Sequence, residues 1–407
     1  DVFRASVTLD YDFGPAALTS ITSYSDRSAE YTYDGDNTIC DRTGGCPNFG
    51  WPFAPGTLIP VGTTGFATSS AEESYVDFSQ ELRLASTGSG PFQWLLGAYY
   101  YDGEVDAVQR SLSGFGNPAV VAAFGFPRMV TTTESLSVFG SASYDFTERL
   151  TGTFELRYQT EDQTYVQGPT NAAATDPAST AVFNLSNSFE FTTPRAILNY
   201  TLEPGKMVYA SVARGAKTGG FNTNINIAAD QRTYDPEYSW NYEVGGKFDW
   251  ADGRLRTNVA LFYTDWTDQQ TACQNPLSFG GSSTQRTYTC NVAESTIWGL
   301  ELDGTLRLTD AVTLVGSYAY THARYDSFID DSLAATLTQL GLPAWNFEGR
   351  HLPYVPDHKI TLSPRYVAHA FGNYDFEGRV DVQHQTRTFV RADNMQSFGP
   401  KTTVDLR

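Results

Sequence analysis

The sequence predicts an all-β chain: a transmembrane antiparallel up-and-down β-barrel wall of about 15 strands, in a single domain over residues 1–407. Three observations predict it. Apolar and polar residues alternate with period two along most of the chain, the mark of a strand with two unlike faces. Short, turn-rich links alternate with long ones. Aromatic residues gather near strand ends.

The alternation is clearest in residues 150–161, LTGTFELRYQTE. Leu150, Phe154, Leu156 and Tyr158 share a face with Gly152, against Thr151, Thr153, Glu155, Arg157, Gln159 and Glu161. Residues 255–266 set Leu255, Val259, Leu261 and Tyr263 against Arg256, Asn258 and Thr264. Residues 311–321 set Val312, Leu314, Tyr318 and Tyr320 against Thr313, Ser317 and Thr321. Residues 376–385 set Phe376, Val380 and Val382 against Glu377, Arg379, Asp381 and Gln383. The short links read FGPAA, STGSGP, FTERL, LEPGK, WADGR, LTDAV and FGNYD, with the Gly, Pro, Asp and Asn of tight turns. Between them come long links near 28–73, 106–132, 166–186, 217–237, 268–290, 325–355 and 387–398. A meander with that rule places every short turn at one end and every long link at the other. Membrane barrels have this reason for it: periplasmic turns are short and extracellular loops long. Rings recurring at strand ends (Tyr99 to Tyr101, Trp240, Trp250, Trp266 and Trp298) match interfacial girdles.

Composition agrees. The chain is 14% aromatic and 18% charged, against about 25% charged in soluble domains. Its net charge of −19 excludes the basic face that nucleic acid requires. No run of about 18 apolar residues marks a spanning helix, and alternation explains a mean hydropathy of only −0.33. Closed bacterial barrels have even strand numbers, so an odd count implies that strands at both ends lie outside the sequence.

Cys40, Cys46, Cys273 and Cys290 fall in or beside long links and fit no zinc spacing. Two short-range disulfides, Cys40–Cys46 and Cys273–Cys290, are the simplest reading, with four free thiols as the alternative. The five histidines (322, 351, 358, 369 and 384) form no close metal pair, and no hydrolase elbow or phosphate loop occurs. The sequence is read as a non-enzyme with no metal and no covalently bound cofactor. His384 shares parity with Val380 and Val382, but no serine partner for a lipase-like pair is evident. Asp330–Asp331 and Glu72–Glu73 read as solvated loop charge. The opposite, polar faces carry Glu81, Arg83, Glu155, Arg157, Glu243, Lys247, Glu301 and Arg379, with Asp303, Arg307 and Asp381. We read them as a lumen-facing wall of mutually paired or solvated charge.

Six segments, in order, resemble the barrels of TonB-dependent outer-membrane receptors of the iron-complex type: FSQELRLAS (78–86), WLLGAYYYDGE (94–104), VYASVARGAKTGGFN (208–222), YDPEYSWNYEVGGKFDW (234–250), STIWGLELDGTLRLTD (295–310) and LPYVPDHKITLSPRY (352–366). The resemblance implies a 22-strand barrel whose N-terminal plug, first strands and last strands lie outside this sequence. It implies an integral outer-membrane receptor, monomeric and in contact with lipid and lipopolysaccharide. It also implies TonB-coupled import of a small-molecule cargo, a ferric siderophore first. Cobalamin, a carbohydrate, or a passive porin-like channel are the alternatives.

In VYASVARGAKTGGFN, Arg214 has the parity of Val208, Ala210 and Val212, an apolar face. Two arrangements accommodate it: snorkelling at the outer rim, or a bulge at Gly215 that turns the following residues inward. Gly219 and Gly220 are expected to bend the chain with positive φ. Arg214, Lys217, Gly219, Gly220, Phe221 and Trp266 are the candidates for a ligand vestibule, weighed against plain strand termination and plug packing.

Overall fold

A computed structural model describes residues 1–34, 46–47, 58–59, 67–113, 125–168, 183–222, 227, 229–274, 287–329, 346–370, 372 and 374–407. In chain order the strands are β1 (Val2–Asp12), β2 (Ala16–Asp34), the two-residue β3 (Cys46–Pro47) and β4 (Leu58–Ile59), β5 (Ala67–Ser86), β6 (Phe92–Ser113), β7 (Gly125–Asp145) and β8 (Leu150–Gln167). They continue with β9 (Phe183–Glu203), β10 (Lys206–Lys217), the short β11 (Gly220–Phe221) and β12 (Thr233–Tyr234), β13 (Glu237–Trp250), β14 (Leu255–Gln274) and β15 (Thr287–Arg307). The last are β16 (Val312–Phe328), β17 (His358–Ala370), β18 (Tyr374–Gln385), the short β19 (Thr388–Phe389) and β20 (Ser397–Phe398), and β21 (Lys401–Leu406). Among the described residues the helical element is one three-residue turn, Ala229–Gln231, and no helix is long and apolar enough to cross a membrane.

The long strands form one 15-stranded sheet in sequence order, each beside its chain neighbour. The ladders of β1 with β2 and of β9 onward are antiparallel. Links of two to five residues alternate without exception with links of 11 to 32 residues, so short and long connections are sorted to opposite edges, as the sequence predicts. Seven of the long strands have 20 or more residues, or nearly so, about twice the 9–11 that cross a bilayer at a tilt. They extend past the membrane toward the long links. At the short edge, Gly205 and Gly253, both with φ 79°, make turns that residues with a Cβ rarely adopt.

The chain divides into two compact units. The first comprises residues 1–84, 97–138 and 159–190. There Leu136 and Val138 stand exposed on one face of β7, while Ser135 and Ser137 are buried on the other. The second comprises residues 85–96, 139–158 and 191–407. Its apolar face runs across the ladder from Ala210 to Val244, Leu261, Leu300 and Tyr320. Val244 is 51% and Leu261 53% exposed. In water such a face is an unstable surface; in a membrane it is the lipid contact. The remaining described sheets are two-residue pairs, too small to cover it as the second layer of a sandwich.

Rings mark both ends of this face. At the short turns, Tyr144 packs edge-on against Phe146 at 5.2 Å, and Phe248 stacks on Trp250 at 5.5 Å. Nearer the long links, Trp298 meets Tyr320 at 5.5 Å and His322 at 5.0 Å. The Tyr318 hydroxyl and His358 Nδ1 are 2.9 Å apart. Amphipathic rings favour the level of the lipid headgroups.

Close ladder packing makes one glycine restrictive. A Cβ on Gly299 would lie 2.1 Å from the Tyr320 carbonyl oxygen and 2.7 Å from the Phe262 ring. Gly299→Val is expected to destabilise the folded barrel by about 1–3 kcal/mol. The check is a lowered thermal midpoint of the detergent-solubilised full-length protein by circular dichroism, with Gly88→Val, a position open to solvent, as control.

Candidate functional site

The polar face of the second unit is built from cross-strand rows. Near the short turns these rows are charged. Arg256 pairs with Asp249 at 2.7 Å, and Asn258 Nδ2 donates to Asp303 at 2.8 Å. Arg365 pairs with Glu377 at 2.7 Å. Arg379 meets the buried Asp381 at 2.7 Å, which also accepts from Ser363 at 2.5 Å. Lys247 and Glu301 sit on this face opposite Asn258 and Ala260.

Toward the long links charge becomes sparser. One row runs Ser211, Glu243, Phe262, Gly299, Thr321. The next runs Ala213, Asn241, Thr264, Ile297, Ala323, and a third Gly215, Ser239, Trp266, Ser295, Tyr325. The topmost pair is Lys217 with Glu237. Glu243 accepts the Tyr209 hydroxyl at 2.6 Å. Lys217 and Glu237 are 3.3 Å apart, with the Glu237 side chain only 7% exposed.

An apolar cap sits on this upper wall. Ala293, Ala323, Tyr325 and Phe328 pack with Phe347 and Leu352 of the link after β16, and Trp266, Ile297, Val355 and Ala392 lie against them. Tyr354 N–H donates to the Phe389 carbonyl at 2.8 Å, and Asn394 joins the His351 backbone at 2.8 and 3.0 Å. Trp266 therefore faces inward, as a vestibule residue must.

A second loop structure stands beside it. Asn222 Nδ2 donates to the carbonyls of Gln231 and Thr289, both at 2.8 Å, and its Oδ1 accepts Thr289 N–H at 2.7 Å. Gln270 reaches the Thr218 carbonyl at 2.7 Å, and Asn291 the Asp235 and Asp268 carbonyls at 2.8 Å. Cys273 and Cys290 are disulfide-bonded across β14 and β15, Cα to Cα 6.0 Å. Cys40 lies outside the described residues, and with it the Cys40–Cys46 pairing. Asp330–Asp331 also lies outside them.

Arg214 stays on the apolar face. The β10–β13 register runs unbroken through Gly215 to Lys217, so of the two arrangements the bulge at Gly215 is absent. The guanidinium instead lies over the Tyr238 ring at 4.2 Å and donates to the Thr192 carbonyl at 3.3 Å. Register shifts among the described ladders sit elsewhere: between Lys206 and Met207, between Trp266 and Gln270, where Asp268 has φ 54°, and between Glu294 and Ser295. Neither Gly219 nor Gly220 has positive φ. Both are buried, and Gly220 is there for space: a Cβ would lie 2.5 Å from the Tyr234 hydroxyl. Phe221 pairs with Thr233.

The wall charges are mostly satisfied. Arg83 pairs with Glu81 along one strand. Glu155 pairs with Arg195 at 3.4 Å, and Arg157 lies over Phe139 at 5.6 Å. His384 shares an oxygen contact with Thr402 at 2.8 Å. No group of three His, Cys, Asp or Glu able to hold a metal occurs among the described residues. A cavity of about 860 Å³ in this unit is bounded by Tyr144, Phe146, Leu198, Val244 and Tyr263. Its side chains are mostly those of the apolar face, and it is a lipid groove in character.

An exposed apolar face over one layer, backed by a polar wall, defines the class: the wall of a membrane β-barrel. The family model described as “TonB dependent receptor-like, beta-barrel” matches residues 1–407, and the chain belongs to that family. The “Probable TonB-dependent siderophore receptor PiuA” of Acinetobacter baumannii is 24% identical over 295 residues, 69% of this chain and 37% of the relative. The “Metal-pseudopaline receptor CntO” of Pseudomonas aeruginosa is 28% identical over 151 residues, 37% of this chain and 19% of the relative. The crystal structure of the ferric yersiniabactin uptake receptor FyuA from Yersinia pestis aligns with TM-score 0.69 at 16% identity, over 100% of this chain and 53% of that one. The chain thus spans about half or less of the length of these relatives.

Two predictions follow from the loop geometry. Asn222→Ala strands an N–H and two carbonyls, a loss of about 1–3 kcal/mol; faster amide exchange at Thr289 is the expected readout. His351 touches the Phe389 ring at 4.8 Å and lies 3.5 Å from Asp357. Burial pushes its pKa down, Arg324 and His322 add to this, and Asp357 opposes it. As pH falls below the ordinary His value of about 6.5, the opened segment takes a proton that the closed cap resists. Stability of the cap is therefore complete above that pH and lost as pH falls toward the lowered pKa. The protection of the Tyr354 amide, its exchange rate relative to the free-peptide rate at the same pH, is expected to fall below about pH 6.5, and His351→Gln to flatten the dependence.

Proposed function

We propose that this chain is the barrel wall of an integral outer-membrane receptor that imports a scarce ferric siderophore with TonB-coupled energy. The observation that carries the reading is the inner wall: charged near the short turns, and mixed polar and aromatic under an apolar cap near the long links. Family membership over residues 1–407 supports it, and relatives named as siderophore or metal-chelate receptors support the cargo class. In this reading the long links and the upper wall receive the cargo. A plug domain outside this sequence completes the site and meets the TonB complex of the inner membrane. The barrel holds the geometry, is monomeric, and contacts lipid and lipopolysaccharide on its apolar face. Trp266, Lys217, Gly219, Gly220 and Phe221 belong to the vestibule, and Arg214 supports it from the outer rim.

The test is uptake of radiolabelled iron by cells carrying or lacking the full-length gene, across a panel of ferric chelates. Loss of uptake of at least one chelate on deletion, and on collapse of the proton-motive force, is expected. Uptake that persists after the force is collapsed identifies a passive channel. Unchanged uptake of every ferric chelate, with loss of cobalamin or sugar uptake, moves the cargo to those classes.

A further inference from the structure

We infer that the apolar face carries a fixed site for one zwitterionic phospholipid, an acyl chain lying along the groove of about 860 Å³ and the phosphate at Arg149; this goes beyond the import reading and does not depend on the cargo. The groove follows two neighbouring rows of the ladder. In one, Ala210 stands between Leu198 and Val244, with Leu261 next. In the other, Val212 stands between Ala196 and Tyr242, with Tyr263 next. The alanines are the low ground, and the Tyr242 and Tyr263 rings, 6.3 Å apart, bound its far end. At the near end the Phe146 ring lies against Gly152, where a Cβ would come within 2.7 Å of that ring and 3.7 Å of Leu198.

The incline of the groove selects its occupant. Phe146 belongs to the short turn between β7 and β8. Ala210 lies four residues beyond the start of β10, and Leu261 six beyond the start of β14. The path therefore begins at the headgroup level beside the short turns and deepens into the hydrocarbon strand by strand. Its strands, β7 to β10, β13 and β14, stand about 4.8 Å apart, which gives a length of roughly 24 Å. Half the hydrocarbon core is about 15 Å thick, so a whole chain lies aslant there. A flat wall touches such a chain on one side only; a groove of rings surrounds more of it, and burial and dispersion grow with each contact. Charge completes the fit at the mouth. Glu148 and Arg149 are exposed in the turn that carries Phe146, and Thr201 N–H ties that turn to β9 by donating to the Arg149 carbonyl at 2.8 Å. Among the described residues no ion pair engages the Arg149 side chain, whereas Lys206 and Arg256 at the neighbouring short turns are held by Glu203 and Asp249. A guanidinium takes a phosphate, and a carboxylate beside it takes a headgroup amine. Short turns face the periplasm, so the site draws on the periplasmic leaflet and not on lipopolysaccharide.

The experiment uses the full-length receptor purified in mild detergent, with phosphatidylethanolamine as the probe and bound lipid counted by native mass spectrometry. Saturable binding of a single phospholipid per receptor is expected. Ala210→Phe fills the groove and is expected to weaken that binding roughly tenfold, with Ala196→Leu, a milder filling, moving it in the same direction. Arg149→Gln is expected to weaken it about threefold. Leu362→Phe places a ring on the apolar face outside the groove and is expected to leave it unchanged. An unchanged thermal midpoint of each variant is the folding control. Binding that rises with added lipid and never saturates, or filled variants that fold and hold lipid as the wild type does, overturn the site. Binding unmoved by Arg149→Gln overturns the headgroup assignment. Lipopolysaccharide or detergent found in the groove in place of the phospholipid overturns the occupant. Uptake of ferric chelates is read separately, so the import reading and this one can each fail alone.

Discussion

Lipid offers a peptide group no hydrogen bond, so each N–H and C=O inside a membrane must find a partner in the protein. A ladder of neighbouring strands does this, and the rest of this structure depends on it. The ladder fixes that side chains alternate between two faces. One face then meets lipid and must be apolar, as Val244 and Leu261 are. The other is free to be polar. The same ladder forbids crossing connections, so each strand returns beside its predecessor, and links sort by length between the two edges.

Charge on the polar face adds little stability. Arg256 of the Arg256–Asp249 pair is 67% exposed, and Arg365 and Glu377 are about half exposed; exposed pairs of this kind contribute about 0–1 kcal/mol. Their effect is to keep that face wetted and near local neutrality. Asp381 differs: its side chain is 8% exposed. It is held by Ser363 and Arg379 at hydrogen-bond distance, with Arg407 at 3.8 Å. Removing either close partner leaves a buried carboxylate short of donors.

The ladder was legible in the sequence because its signal is local and repeated. Parity in LTGTFELRYQTE and the turn residues of LEPGK and WADGR are read within ten residues, and the strand count and alternating links came with them. The Cys273–Cys290 bridge was legible for the same reason, its partners lying 17 residues apart. The loop structure was not. Asn222 bonds Thr289 across 67 residues, and His351 meets Asn394 across 43; an isolated Asn in a link carries no trace of such a partner beyond its amide. The choice between the two arrangements for Arg214 was not legible either, for a related reason. Gly215 looks permissive, yet the extra residue lies by Asp268, a position that Asp tolerates at positive φ and that only the register of the next strand reveals.

Arg214 shows how the two faces and the two edges act together. An unbroken register leaves its side chain on the apolar face, where a cation at mid-bilayer is unfavourable by about 2–4 kcal/mol. That penalty falls toward zero at the interface, and Arg214 stands three residues from the end of β10, on the long-link side. There the Tyr238 ring and the Thr192 carbonyl receive it. Lys217, three positions on, has the opposite parity and meets Glu237 on the polar wall. Two cations in one short segment thus serve opposite surfaces: one is held at the strand end by the Tyr238 ring, and the other is neutralised on the polar wall. The glycines that follow belong to neither task. Gly220 lets the chain pass close under Tyr234, which brings Asn222 to Thr289 and ties the loop down onto the wall.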